Sequence, residues 1–221
     1  GVFEQRPSLP RYTNTWDIEV VLRYLSNLGK PPDISLKILT HKLAMLMAIL
    51  SGQRRQTLHA FEIDSMQLTS DSCTFINTSL LKTSRPGKHL APIKFVKYEP
   101  DVNLCVVSHV AEYIKRTEPF RAQQSNLFIS YQRPHKTVSA DTISRWLKNI
   151  LSEAGIDISK FGAHSTRSAA TSAAKSANVP IDIIMNTAGW SQESTFAKFY
   201  HMPVKNQENF GDTLLHKCKR T

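Results

Sequence analysis

Apolar residues near the start of the chain recur at the spacing of an α-helix. Over residues 18–28 they fall every three or four positions and stop at Gly29, which predicts an amphipathic helix. A second helix is predicted over residues 35–51, and because it is apolar on most faces we expect it at the centre of the core. Gly52 then ends it, as glycine commonly does. Residues 1–14 show no periodicity and indicate an arm or linker.

The pattern changes to that of short β-strands in the middle of the chain. Strands are predicted over residues 61–66, 73–81 and 90–96. Residues 84–87, Ser-Arg-Pro-Gly, supply turn-forming side chains between the last two strands. The sequence therefore predicts a small antiparallel sheet that contains a hairpin.

Helical spacing returns after the third strand. Asp141 is predicted to cap a helix that ends at Gly155, and Pro180 to lie in the first turn of a later helix. Residues 165–177 are rich in alanine and serine, which favours a closely packed buried helix, and a last helix is predicted over residues 207–217. The predicted fold class is α+β, mostly helical, with one small three-stranded antiparallel sheet.

The net charge points to a polyanionic partner. The 221 residues include 28 Lys and Arg against 18 Asp and Glu, a formal charge of +10. Such an excess fits a nucleic acid, because each phosphate contact releases counterions and adds affinity that does not depend on sequence. Charge alone leaves open a basic protein that binds no nucleic acid.

Metal chemistry, a disulfide framework and a membrane span have little support in the sequence. Cys73, Cys105 and Cys218 are far apart, with no C-x-x-C pair, so reduced thiols in an intracellular protein are expected. The histidines are scattered and the acidic residues show no two-metal arrangement, so we expect no metal and no cofactor. The longest apolar run, residues 43–50, is too short to cross a bilayer.

Four separated segments carry the residues that suggest a reaction. They are Gly52-Gln-Arg54, Lys82 before the predicted hairpin turn, His164-Ser-Thr-Arg167, and Gly189-Trp190 followed by Tyr200. These side chains make a poor metal site and a poor acyl-transfer site. They suit an oxygen nucleophile that attacks a phosphodiester while cations hold the charge that develops on phosphorus.

In this order and context the segments resemble the catalytic domain of tyrosine recombinases, over roughly residues 35–204. Three motifs resemble in particular the recombinases of DIRS-type retroelements and their Crypton relatives. They are Leu50-Ser-Gly-Gln-Arg54, Leu81-Lys-Thr-Ser84 and Gly189-Trp-Ser191. The resemblance implies a DNA strand transferase that forms a 3′-phosphotyrosine without metal or ATP. It also implies double-stranded DNA as the partner, integration of a mobile element as the purpose, and the nucleus as the location.

Carried onto this chain, the resemblance makes Tyr200 the nucleophile. Many relatives place the tyrosine nine residues after the position of Trp190, where this chain has Phe199, so Tyr200 requires a one-residue insertion. The alternative is a tyrosine that only packs beside its phenylalanine neighbours. Lys82 is the expected general acid for the leaving 5′-oxygen, and Lys88 across the turn is the competing candidate.

The remaining catalytic residues are expected to bind the scissile phosphate. Arg54 and Arg167 would clamp its oxygens, His164 would handle the tyrosine proton or bind phosphate, and Trp190 would donate its indole N–H. The alternative for His164 is a helix-capping histidine. Many relatives carry an acidic residue three positions after the first arginine. Here Thr57 stands there, so another group must orient Arg54, and Gln56 is the candidate. Further DNA contacts are expected from Arg55, Arg85, Lys88 and Arg145.

The resemblance also suggests three parts of the chain. Residues 1–30 would be an N-terminal arm and linker, which can include the last helix of a core-binding domain. Residues 31–204 would be the catalytic domain and residues 205–221 a C-terminal helix and tail. Docking of that helix on a neighbouring protomer would build a homotetramer on two DNA duplexes or a Holliday junction; packing in cis is the alternative. Two other functions stay open: a topoisomerase of type IB, and a domesticated protein that binds DNA without cutting it.

Overall fold

The computed structural model describes residues 13–76, 91–190, 193–199 and 202–203. Within these residues the α-helices are, in chain order, α1 (Ile18–Asn27), α2 (Leu36–Ser51), α3 (Arg55–His59), α4 (Val106–Thr117), α5 (Ala140–Glu153), α6 (Ser165–Ser176), α7 (Ile181–Ala188) and α8 (Glu193–Phe199). The strands are β1 (Met66–Leu68), β2 (Ser72–Phe75) and β3 (Ile93–Val96), and short 3-10 turns cover Val102–Leu104 and Glu118–Phe120. The predicted fold class is confirmed.

Helix α2 is the centre of the core, as its sequence predicts. The Ser35 hydroxyl caps its first turn by accepting from the Ile38 N–H, and Gly52 ends it in the left-handed conformation, with φ of 60°. Nearly every residue between these ends is buried, because α4, α5 and α6 pack around it. A helix that is apolar on most faces stabilises the fold only in such a central position.

The three strands form one antiparallel sheet in the order β1-β2-β3. Cys73 pairs with Phe95 and, together with Phe75, turns inward, so one face of the sheet lies on the core beside α4. The first strand was predicted over residues 61–66, which is wrong: the strand starts at Met66. Phe61 is buried, and its ring stacks on that of Phe75 with centroids 4.3 Å apart. It is apolar because it packs into the core from the loop after α3, not because it belongs to a strand.

The helices after the sheet follow the predicted pattern with small corrections at their starts. Ser139 caps α5 through its hydroxyl, and Asp141, the predicted cap, lies inside the first turn. Pro180 directly precedes α7 and is not in its first turn. Helix α6 is buried from Ser165 to Ser172, a run of small residues apart from Arg167, which agrees with the predicted closely packed helix. The predicted helix over residues 207–217 lies outside the described residues.

The described part of the chain offers neither a membrane-spanning helix nor a metal-binding cluster. No described helix is long and apolar enough to cross a membrane. Among the same residues there is no group of three or more His, Cys, Asp or Glu side chains arranged to hold a metal ion.

Candidate active site

Three chain segments that are far apart in the sequence meet at one place. They are the turn after α2, the start of α6 and the end of α7. Gly52 allows this meeting: a Cβ there would lie 3.3 Å from the Thr171 methyl of α6, and its positive φ is unfavourable for other residues. The turn that carries Arg54 is therefore packed directly against the helix that carries Arg167.

Arg167 links all three segments. Its side chain is buried, and Nη1 donates to the Gly52 carbonyl at 2.6 Å while Nη2 donates to the Ala188 carbonyl at 2.8 Å. The guanidinium carbon also lies 4.1 Å from the centre of the Trp190 ring. A guanidinium carries five N–H donors, and two of those of Arg167 bond these carbonyls. Arg167 thus holds the site together as well as supplying positive charge.

Gln53 makes a second link between the turn after α2 and the end of α7. Its side chain is buried, and Nε2 donates to the Thr187 carbonyl near the end of α7 at 2.5 Å. Arg54 follows immediately, half-buried, at the start of α3. Gln56, the predicted orienting residue, is exposed on α3. The buried amide next to Arg54 is thus Gln53, whose place between Gly52 and Arg54 was visible in the sequence although its role was not.

His164 stands at the N-terminus of α6. It is exposed, it precedes the helix by one residue, and its side chain makes no capping hydrogen bond there. His164 is thus the N-cap residue of α6 by position, without a side-chain capping bond to that helix. An exposed imidazole at a helix N-terminus lies where the helix also favours an anion.

Trp190 fills the space between the site and α8. It is half-buried, and its ring packs on Phe196 with centroids 5.4 Å apart as well as on the Arg167 guanidinium. Packing on the helix that leads to Tyr200 is thus confirmed. Donation of the indole N–H to a phosphate stays a prediction.

Two of the predicted DNA contacts lie on the surface near this site. Arg55 forms an ion pair with Asp141 of α5 at 2.7 Å, and both side chains are well exposed. Arg145, one turn further along α5, donates to the Thr142 hydroxyl at 3.0 Å. An exposed ion pair contributes little to stability, so Arg55 can exchange its carboxylate for a phosphate at small cost.

Four predicted residues lie outside the described residues: Lys82, Arg85 and Lys88 of the predicted hairpin, and Tyr200 after α8. The structure therefore brings together the Arg54, His164, Arg167 and Trp190 segments.

Comparison with known proteins identifies the family. Residues 19–206 match the phage integrase family. The fold resembles that of XerH site-specific recombinase bound to difH substrate, with a TM-score of 0.64, 15% identity, and 88% of this chain and 51% of that one covered. XerA recombinase is similar with a TM-score of 0.61, 16% identity, and 97% and 65% covered.

The integrase of the Tn1549 transposon, in complex with transposon right end DNA, has a TM-score of 0.60, 13% identity, and 96% and 67% covered. No curated protein sequence is significantly similar to the chain. The chain spans about half the length of XerH. At these identities the solved structures support the fold, while the sequence match covers most of the chain. The chain belongs to the phage integrase family of tyrosine recombinases.

Proposed function

We propose that this chain is the catalytic domain of a site-specific recombinase that cuts and rejoins double-stranded DNA through a 3′-phosphotyrosine. The observation that carries the proposal is the Arg167 guanidinium, which joins the Gly52 turn to the end of α7. These bonds bring the segments of Arg54, His164 and Trp190 to one place in a chain of this family.

The proposed step exchanges one phosphate ester for another. The Tyr200 oxygen forms a bond to the scissile phosphorus, the bond from phosphorus to the 5′-oxygen breaks, and the 3′-phosphate stays on the tyrosine. His164 takes the phenol proton, and Lys82 gives a proton to the departing 5′-oxygen. Arg54 and Arg167 hold the charge that develops on the phosphate. Metal and ATP are not needed, because the protein supplies the cations and the new ester conserves the bond energy.

The protein's charge supports DNA as the substrate. The formal charge is +10, and Arg55 and Arg145 lie on the surface beside the site. With Arg85 and Lys88 they would contact backbone phosphates on either side of the scissile bond. Such contacts fix the register of the DNA and make affinity fall steeply with salt.

Assembly into a homotetramer is the second part of the proposal. An apolar groove of about 200 Å³ lies between the end of α2, α6 and α7. Leu50 and Ile183 on its rim are each about half exposed, at 51% and 50%. The predicted C-terminal helix contains the apolar residues Phe210, Leu214 and Leu215, which would suit such a groove on a neighbouring protomer. A lambda integrase tetramer bound to a Holliday junction shares the fold, with a TM-score of 0.51.

We further propose a mobile-element source and a nuclear site of action. Their support is the resemblance of Leu50–Arg54 and the segments at Lys82 and Trp190 to DIRS-type and Crypton recombinases. Excision or integration of an element between defined ends, assayed with candidate terminal sequences, tests the source.

A nicked suicide duplex tests the proposed function. The short fragment that leaves with the 5′-hydroxyl diffuses away and cannot be rejoined. A 3′-phosphotyrosine therefore accumulates, and the protein migrates as a DNA adduct on a denaturing gel. We expect the adduct to form in EDTA without nucleotide. Strict dependence on magnesium would point to a metal nuclease, and binding without any adduct would point to the domesticated DNA-binding alternative. Relaxation of supercoiled DNA by a monomer without strand exchange would favour the topoisomerase alternative.

A further inference from the structure

Two residues that precede α1, Trp16 and Thr15, bond the 164–167 motif and the chain after α8. The buried Trp16 indole donates from Nε1 to the Ser165 hydroxyl at 2.9 Å, and Ser165 lies inside the 164–167 motif. The Ser165 hydroxyl in turn donates to the Gly162 carbonyl at 2.7 Å. The neighbouring Thr15 N–H donates to the Pro203 carbonyl at 2.9 Å.

Helix α6 also bonds the chain after α8 directly. The Met202 N–H donates to the Ser172 hydroxyl at 3.0 Å, and both residues are buried. Ser165 and Ser172 are seven residues apart, which is two helical turns, so they lie on one face of α6. One face of this helix therefore contacts the chain before α1 at one end and the chain after α8 two turns later.

These bonds specify position because their donors are buried. A buried N–H that loses its partner costs about 1–3 kcal/mol, so the chain at residues 202–203 has a strong preference for this arrangement. Arg167 lies on α6 between the two serines in sequence, and its side chain is part of the site. The contacts thus tie residues 202–203 to the helix that supplies the phosphate-binding arginine.

We propose that Ser172 and Trp16 are positioning residues for the nucleophile. Ser172 bonds Met202 directly, and Trp16 anchors to α6 the neighbouring Thr15, whose N–H bonds the Pro203 carbonyl. By holding residues 202–203 in this way they would set how the phenol oxygen meets the phosphate. The inference rests on the proposed role of Tyr200. Tyr200 is two residues before Met202 in the sequence, and two residues of chain reach no further than about 7 Å. A displacement of about 1 Å can slow a reaction by about a hundredfold.

Two reactions at the same site separate positioning of the tyrosine from general damage. Adduct formation on the nicked duplex requires the tyrosine. Joining of a strand with a 3′-p-nitrophenyl phosphate to a 5′-hydroxyl strand does not: the 5′-oxygen forms the new bond to phosphorus and p-nitrophenolate leaves. This second reaction is measured in a Tyr200→Phe background, where the tyrosine cannot displace p-nitrophenolate itself. It then needs the phosphate-binding residues only, and its rate follows from the released p-nitrophenolate. Both assays are run on variants whose thermal unfolding and DNA affinity have been measured.

We expect Ser172→Ala to slow adduct formation by about tenfold to a hundredfold and to leave joining within about twofold. Trp16→Phe, which keeps an aromatic ring but loses the N–H, should show the same split with a smaller effect, because Ser165 keeps its bond to Gly162. Ser168→Ala, a buried serine one turn before Ser172, is the matched control and should change neither rate.

Equal losses in both reactions for Ser172→Ala and Trp16→Phe would overturn the proposal, because these residues would then support the site as a whole. Unchanged adduct formation in both variants would overturn it as well. Failure of the proposed function looks different, since wild-type protein would then form no adduct and the Tyr200→Phe protein would not join the activated strand.

Discussion

Gln53 and Gln56 differ in surroundings although they lie three residues apart. Gln53 is buried and bonded to the Thr187 carbonyl, whereas Gln56 is exposed. Gln53→Met keeps the size of the side chain and removes that bond, so we expect cleavage to slow by about tenfold or more, with Gln56→Met near wild type. If Gln53 acts through Arg54, the loss should shrink on a scissile methylphosphonate, which has no negative charge to hold. An undiminished loss on that substrate would contradict action through Arg54.

The two adjacent arginines should also differ. Arg54 belongs to the turn fixed by Gln53, while Arg55 is engaged by Asp141 at the surface. Arg54→Ala should slow cleavage by about a hundredfold or more, the scale seen when charge stabilisation of a transition state is lost. Arg55→Ala should weaken DNA binding in a salt-dependent way and cost far less in rate. Equal losses of cleavage rate in the two variants would show that the assignment is wrong by one residue.

Lys82 can be tested through the leaving group. If it protonates the 5′-oxygen, Lys82→Ala should recover most of its rate on a bridging 5′-thio substrate, because a thiolate leaves without a proton. Arg167→Ala should not recover, since the phosphate charge still has to be neutralised. Recovery by Lys88→Ala in place of Lys82→Ala would move the general acid across the hairpin.

At the level of elements, the turn after α2 depends on glycine more than the turn after α5 does. Gly52 and Gly155 both have positive φ, but only at Gly52 would a Cβ meet a neighbour, the Thr171 methyl at 3.3 Å. Gly155→Ala should cost about 1 kcal/mol of unfolding free energy from the left-handed conformation alone. Gly52→Ala should cost more by about 1 kcal/mol or above, because the helices must shift. Urea unfolding measures both, and equal losses would contradict the close packing.

The hydrophobic pattern of the sequence was sufficient to predict the helices that are stabilised by burial of one or more faces. Helix α2, the buried face of α5 and the small residues of α6 all follow from side-chain pattern. The start of β1 could not be predicted, because Phe61 serves the core from a loop and looks like a strand residue in sequence. The hydrogen bonds of Arg167 and Gln53 to backbone carbonyls could not be predicted either. Every residue has a backbone carbonyl, so the sequence does not show which one accepts the bond.

At the level of the whole molecule, two buried histidines should make stability depend on pH. Burial lowers the pKa of His41 and of His109 to about 4. Because the folded-state pKa lies below the unfolded value of about 6.5, the unfolded chain binds more protons between these limits. Stability should therefore fall as pH drops from about 6.5 to 4, by on the order of 2–3 kcal/mol for each histidine.

Urea unfolding at pH 7 and pH 5 measures this dependence. His41→Phe, which keeps a ring against Trp146 and removes the titrating group, should show a smaller fall. His59→Phe, outside the buried core, is the control. An equal fall in His41→Phe and wild type would contradict a contribution from His41.

The central claim is that DNA becomes joined to one tyrosine. Mass spectrometry of peptides from the trapped adduct, after nuclease digestion, measures which residue carries the nucleotide. We predict a 3′-phosphonucleotide on Tyr200 and no adduct in Tyr200→Phe. Tyr113 is fully buried, whereas Tyr98 is about half exposed, so Tyr98 is the more accessible rival. A nucleotide on Tyr98 or Tyr131, or an adduct that persists in Tyr200→Phe, would contradict the account.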